Sequence, residues 1–237
     1  MSIVKNKVTL ITGGTKGIGF GIAESLLDAG AKVAITGRDT KGVKDAVDKL
    51  SARGSVIGIV SDVRDLHAEQ EACKQTVAAF GAIDILVANA GIGHFGSIES
   101  LTPQQWQETM DVNLTGVFNS VKASLEELKK SKGYIITIAS LAGTNFFEGG
   151  SAYNASKFGL VGFTQAIMLD LRKYGIKVTT IMPGSVATYF NGHMPGSGDA
   201  WKIQPEDIGQ MVVDLVRMNP RTLPSKIEVR PSTPPSK

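Results

Sequence analysis

Val8-Thr9-Leu10-Ile11-Thr12-Gly13-Gly14-Thr15-Lys16-Gly17-Ile18-Gly19 runs from a β-rich segment straight into a glycine turn, and a helical pattern follows as far as Gly30. Strand, glycine turn, helix is the order in which a chain builds a phosphate cradle. Glycines let the backbone turn tightly and approach a pyrophosphate, while the free amides and positive dipole end of the next helix face the anion. The spacing is G-x-x-x-G-x-G, and Gly13, Thr15, Lys16, Gly17, Ile18 and Gly19 become the candidate phosphate-side contacts. Against this stands the plainer reading of a glycine-rich turn that binds nothing.

Moving outward, a second strand over Lys32 to Thr36 ends in Gly37-Arg38, at roughly the ~20-residue distance where a dinucleotide fold reads the adenosine ribose. An acidic residue there would accept from a free 2′-hydroxyl and repel a 2′-phosphate. Arg38, joined by Lys16, instead offers two cations to a phosphate, which points to NADPH/NADP+. Asp39 lies beyond the usual acidic position and is expected to point away or to orient Arg38. Solvated surface is the bland alternative for both cations.

Further strands are predicted at Ser55 to Val60, Ile83 to Ala88, Tyr134 to Ala139, Lys177 to Met182 and Lys226 to Val229. The first four lead respectively into Asp62-Val63, Asn89-Ala90-Gly91, Ser140 and Pro183-Gly184, transitions of the kind that face ligands in open α/β sheets. Thr102-Pro103-Gln104-Gln105 is a strong helix start, with Asn113 at the far end of that helix, where it reads as a kink or a cap. The repeated alternation of strand and helix, without tandem repeats, predicts one α/β domain over 1–237. Its sheet is doubly wound and mostly parallel, of about six or seven strands, with helices on both faces.

Composition narrows the partners. The 237 residues are 42% hydrophobic, enough for a full core, and 25 basic against 22 acidic residues leave a net charge of only +3. Without runs of like charge, neither a nucleic-acid groove nor a membrane surface is expected, and a small molecule is the default partner. The single cysteine, Cys73, has no disulfide partner, the N-terminus enters the first strand directly, and no apolar run approaches membrane-spanning length. A cytoplasmic location is expected. His67, His94 and His193 have no ligand-like spacing, so no metal is expected.

Tyr153-Asn154-Ala155-Ser156-Lys157 places a phenol and an ammonium at i and i+4 at the start of an apolar helical run. A cation beside the phenol lowers its pKa. Bringing a tyrosine from about 10 to about 7 takes roughly 4 kcal/mol, which a desolvated lysine plus a cofactor charge could supply. Alone, the pattern reads more readily as a surface Tyr and Lys.

Taken together, these motifs in this order, over nearly the whole length, resemble the short-chain dehydrogenase/reductase family, with its Rossmann fold. The resemblance implies that Tyr153 gives a proton to a carbonyl under reduction and that Ser140 holds and polarises the carbonyl oxygen. Lys157 would grip the nicotinamide ribose and lower the Tyr153 pKa, and Asn113 would anchor a water that relays protons to Lys157. Asp62 and Val63 would contact the adenine, Asn89, Ala90 and Gly91 would line the cofactor groove, and Val186 and Thr188, beside Pro183 and Gly184, would hold the carboxamide. The implied activity is NADPH-dependent carbonyl reduction.

Two alternatives stay within that family, a 3-oxoacyl carrier-protein reductase and a hydroxy-acid dehydrogenase. The ending Ser225 to Pro231 favours the carbonyl and hydroxy-acid reductases, and Glu126-Glu127 puts acid where an acidic carrier protein would prefer base. A non-catalytic NADPH-binding sensor or scaffold would not require Ser140, Tyr153, Lys157 and Asn113 together. The segment at about 185–204 mixes hinge glycines with Tyr189, Phe190, Met194 and Trp201, the composition of a mobile lid. With Ala142, Phe147, Tyr189 and His94 as candidate substrate contacts, and Phe95 and Phe146 nearby, the pocket is expected to be roomy and apolar. Finally, the run from Phe158 to Leu169 is apolar around nearly the whole helix, which predicts a homodimer or homotetramer.

Overall fold

The computed structural model describes residues 3–233; the predicted domain also took in residues 1–2 and 234–237, which lie outside the described residues. Seven strands form one sheet in the order β3-β2-β1-β4-β5-β6-β7, and every pairing is parallel. They are β1 (Val8–Ile11), β2 (Lys32–Gly37), β3 (Val56–Val60), β4 (Ile85–Ala88), β5 (Tyr134–Ile138), β6 (Lys177–Pro183) and β7 (Lys226–Val229). The order reverses between β1 and β4, so the carboxyl ends of these two strands open a crevice.

Helices α1 (Gly17–Asp28), α2 (Thr40–Leu50), α3 (Leu66–Phe80), α4 (Pro103–Met110), α5 (Gly116–Ser131), α6 (Ser151–Leu171) and α7 (Pro205–Arg217) connect or follow the strands. Alternation along each strand assigns side chains to two cores. Ile11, Val33, Ile35, Val87, Ile136 and Ile181 pack with Ile22 and Leu26 of α1, Leu50 of α2 and Val212 of α7. Leu10, Ala34, Leu86, Ile135, Val178 and Met182 pack with Cys73 of α3, Val117 and Leu128 of α5 and Leu160 of α6. The sheet is therefore covered on both faces, as the doubly wound pattern requires.

The predicted capping box forms. Thr102 Oγ1 accepts from the Gln105 amide at 3.2 Å, and Gln105 Oε1 accepts from the Thr102 amide at 3.0 Å. Between α4 and α5 the chain widens into a π-helical turn, Asp111–Thr115, so the kink read at Asn113 is a π-turn. Asp39, expected to point away or to orient Arg38, caps α2, its carboxylate accepting from the Gly42 amide at 2.6 Å, and it still lines the cleft described below. No helix among the described residues is long and apolar enough to cross a membrane.

Candidate active site

A cleft of about 880 Å³ runs along the carboxyl edge of the sheet, from the glycine turn past β4 and β5 to the start of α6. Gly13 and Gly17 have φ of +65° and +58°, left-handed values that side-chain-bearing residues rarely adopt. Gly19 is buried behind them, packed against the Asn89 amide. The amino end of α1 has no side-chain cap and no acidic residue in its first turn, which leaves its amides and dipole uncompensated. Together with the cleft's length, this arrangement fits the pyrophosphate of a dinucleotide.

Two residues tie the floor of the cleft together. Asn89 Nδ2 donates to the carbonyls of Thr12 and Gly13 at 2.9 and 3.0 Å, and Thr12 Oγ1 accepts from the amides of Asn89 and Ala90. The end of β4 is thereby locked to the glycine turn. Arg38 and Lys16 are exposed at the cleft's far end, and among the described residues neither has an ion pair or side-chain hydrogen bond. Asp62 also lines the cleft but is held by Arg64, whose Nε donates to both its carboxylate oxygens at 3.0 Å. This pairing holds the Asp62 carboxyl below the usual range.

At the other end, Ser140, Tyr153 and Lys157 converge from the end of β5 and the first turns of α6. Ser140 Oγ accepts from the Ala142 amide at 3.1 Å, which fixes the hydroxyl at the pocket wall. Lys157 is only 4% exposed; its Nζ donates to the Ile138 carbonyl at 3.1 Å and lies 5.6 Å from the centre of the Tyr153 ring. Burial pushes the ammonium down to about 8. The Tyr153 phenol moves the other way. Burial raises it and a hydrogen bond with Ser140 only partly offsets the rise, so the protein contacts alone do not give the expected lowering. The reason is geometric: Lys157 faces the ring and a backbone carbonyl rather than bonding to the hydroxyl.

Asn113 does not line the cleft. It is fully buried, with Oδ1 accepting from the Ile92 amide at 2.9 Å and Nδ2 donating to the Ile92 carbonyl at 2.9 Å and to Ser156 Oγ at 3.0 Å. A Cβ built on Gly91 would sit 3.4 Å from Asn113 Oδ1 and 3.6 Å from Lys157 Nζ, so the two polar atoms share the space at Gly91. Val63, Ala90, Pro183, Gly184, Val186 and Thr188 all line the cleft.

A second cavity of about 600 Å³ adjoins Ser140 and Tyr153 and holds Ala142, Phe147 and Trp201. Phe95 packs against Tyr153 and Phe147, with ring centres 5.4 and 5.8 Å apart. Tyr189 and His94 lie on the larger cleft instead, and His94 Nε2 is already paired with Glu108 at 2.9 Å. The segment over 185–204 is stapled at its base, where the Ala187 amide donates to the Ile203 carbonyl at 2.9 Å and the Ile203 amide to that of Ser185 at 3.1 Å. Above the staple, Asp199 gathers His193, Lys202 and the Gly196 amide within 2.6 to 3.0 Å. Those contacts draw Asp199 well below the ordinary carboxylate range.

Asp199 and Arg230 were not legible as site residues. Asp199 has no motif, and Arg230 reaches the second cavity only because β7 pairs beside β6. The acid at Glu126 and Glu127 is likewise less exposed electrostatically than the sequence suggests, since each pairs with the lysine at i+3, Lys129 or Lys130. That weakens the case drawn from these residues against an acidic carrier.

A family model described as short chain dehydrogenase matches residues 7–195. An uncharacterized oxidoreductase of Staphylococcus saprophyticus is 32% identical over 231 residues, covering 96% of this chain and 98% of that protein. The (2S)-[(R)-hydroxy(phenyl)methyl]succinyl-CoA dehydrogenase subunit BbsD of Thauera aromatica is 35% identical over 210 residues, covering 88% of this chain and 84% of that one. Among solved structures, an alcohol dehydrogenase from the archaeon Thermococcus sibiricus, complexed with 5-hydroxy-NADP, aligns with a TM-score of 0.91 at 26% identity. That alignment covers 98% of this chain and all of the archaeal one.

Proposed function

The chain belongs to the short-chain dehydrogenase family of nicotinamide-dependent oxidoreductases, and on that premise we propose that it reduces a ketone or aldehyde to an alcohol with NADPH. The observation that carries this reading is the meeting of Ser140, Tyr153 and Lys157 at one end of the cleft that the glycine turn opens. A nicotinamide cofactor held along that cleft would supply the hydride for the carbonyl carbon. Negative charge then grows on the carbonyl oxygen, and the Ser140 and Tyr153 hydroxyls are the donors placed to stabilise it. Tyr153 gives up its proton as the alcohol forms. Lys157 holds the nicotinamide ribose, and its charge, with that of the cofactor, offsets the burial that otherwise keeps the Tyr153 pKa high. Asn113 Oδ1 has a second lone pair on the Gly91 side, where it can hold a water that resupplies protons through Lys157.

The adenine end is assigned to Asp62 and Val63, with Asn89, Ala90 and Gly91 along the groove and Val186 and Thr188, after Pro183-Gly184, at the carboxamide. Arg38 and Lys16 favour the 2′-phosphate of NADPH because, among the described residues, neither is tied up in an ion pair or side-chain hydrogen bond, although Arg38 is near enough to Asp62 to feel its charge. The apolar second cavity supports ketones with aromatic or alkyl substituents. The Thauera aromatica relative, named for a phenyl-bearing secondary alcohol, supports the same class.

The test is NADPH oxidation followed against aryl ketones, aldehydes, ketoacyl thioesters, hydroxy acids with NADP+, and a keto sugar. Turnover is expected with the aryl ketones; a clear preference for the sugar would contradict the apolar pocket.

A further inference from the structure

The second cavity is walled by Leu141, Phe146, Phe147 and Trp201, yet one formal charge stands on it. Among the described residues that line it, only Arg230 is ionised at neutral pH. Its position follows from strand order. β7 pairs in register with β6, Val229 opposite Pro183, and the Gly184 amide donates to the Val229 carbonyl at 2.7 Å. The next residue, Arg230, therefore emerges at the carboxyl edge of the sheet, on the cavity that also contains Ser140 and Tyr153.

Arg230 has a partner, but not a demanding one. Glu228 Oε2 accepts from its guanidinium at 3.1 Å, with the two side chains 57% and 40% exposed. An exposed pair of this kind contributes little, and a guanidinium has donors left over for a second, planar acceptor. An aromatic-walled cavity with a cation on its rim suits a molecule with an apolar body and an anionic end. A neutral ketone would use the walls and leave the cation unused.

Resting on the reductase reading above, we propose that Arg230 selects ketone substrates whose aromatic or alkyl body carries a carboxylate at the end remote from the carbonyl. Arg230 is then a specificity residue, and Glu228 competes with the substrate for it.

The experiment compares specificity constants for 4-oxo-4-phenylbutanoate, 5-oxo-5-phenylpentanoate and 6-oxo-6-phenylhexanoate with those of their methyl esters. At one chain length or more, the acid should exceed its ester by about fivefold or more, the scale of a partly exposed charge-assisted hydrogen bond. Arg230→Gln should bring that ratio to about one, Arg230→Lys should keep part of it, and Glu228→Gln should raise it, a change of sign that misfolding cannot mimic. Ratios unaffected by Arg230→Gln, or esters preferred throughout, would overturn the proposal. A second readout needs no turnover: calorimetric binding of 4-phenylbutanoate and 4-phenylbutanamide to the NADP+-loaded protein. Tighter binding of the carboxylate, lost in Arg230→Gln, upholds the selectivity even where no ketone is reduced, in which case only the reductase reading fails. Equal binding of the two overturns the selectivity.

Discussion

Lys157 Nζ lies 5.6 Å from the centre of the Tyr153 ring and spends a hydrogen bond on the Ile138 carbonyl at 3.1 Å. The pair is thus a buried cation beside an aromatic face rather than a direct lysine–phenol contact. Burial drives the two groups in opposite directions, the ammonium down to about 8 and the phenol up. At neutral pH these contacts therefore favour a protonated Tyr153 phenol and leave Lys157 mostly a cation.

This arrangement predicts a pH profile. Lys157 is charged below about 8 and loses its proton above. The specificity constant for NADPH, which reports the free enzyme, should be level at lower pH and decline as pH rises through about 8. Lys157→Met should remove that limb along with most of the activity. Stability runs the opposite way: between about 8 and the ordinary lysine value of 10.5 the unfolded chain binds a proton the folded chain lacks, so stability rises with pH in that window.

Glu69 offers a separate test. Its carboxyl is 2.7 Å from Ser61 Oγ and 2.6 Å from Ser120 Oγ, while Ser120 Oγ is also 2.9 Å from the Gly116 carbonyl. Burial raises the Glu69 pKa, and the hydrogen bonds donated by Ser120 and Ser61 only partly offset that rise. Above the ordinary value near 4.5 the unfolded chain gives up a proton that the folded chain keeps, and stability falls as pH rises until Glu69 ionises in the fold. Glu69→Gln should cost less than about 1 kcal/mol and flatten this decline, whereas Glu69→Ala should cost about 1–3 kcal/mol by leaving the buried Ser61 hydroxyl without its partner, Ser120 keeping the Gly116 carbonyl. Urea unfolding at several pH values measures both; an unchanged slope in the glutamine variant would show that Glu69 is already ionised.

Cofactor choice is expected to rest on Arg38 and Lys16. Arg38→Asp removes a phosphate partner and adds repulsion, so the NADPH to NADH ratio of specificity constants should fall by about tenfold or more. Equal use of the two cofactors by the unaltered protein would defeat the assignment.

Assembly is expected on the α5–α6 face. Phe158 and Leu169 are 40% and 59% exposed, Phe146 stacks on Phe158, and Phe118 lies edge-on to Phe163. Covering this face with a second copy gives a dimer or tetramer. Light scattering at micromolar concentration should report at least twice the 25.1 kDa chain mass, and Phe158→Asp with Leu169→Asp should lower it. A monomer mass for the unaltered protein would count against the interface.

Much of this was readable along the chain because it is local. The turn from Gly13 to Gly19, the Thr102 capping box and the strand ends at Asn89, Ser140 and Pro183 each declare themselves within a few residues. What escaped depends on tertiary neighbours. The sign of the Tyr153 shift is set by the protein packed around the hydroxyl. Asn113 looked like a kink and sits in a π-turn whose amide bonds across to Ile92 and Ser156. Arg230 belongs to the second cavity through the pairing of β7 with β6, and Asp199 holds its segment through partners that its sequence position does not reveal.

The central claim is that the Tyr153 hydroxyl delivers the proton. Its direct test is the turnover of an aryl ketone by Tyr153→Phe, with NADPH binding measured on the same preparation. The ring remains and only the hydroxyl is lost, so NADPH should bind nearly as before while turnover drops by about 10²–10⁴-fold. Near-normal turnover by the phenylalanine variant would contradict the account.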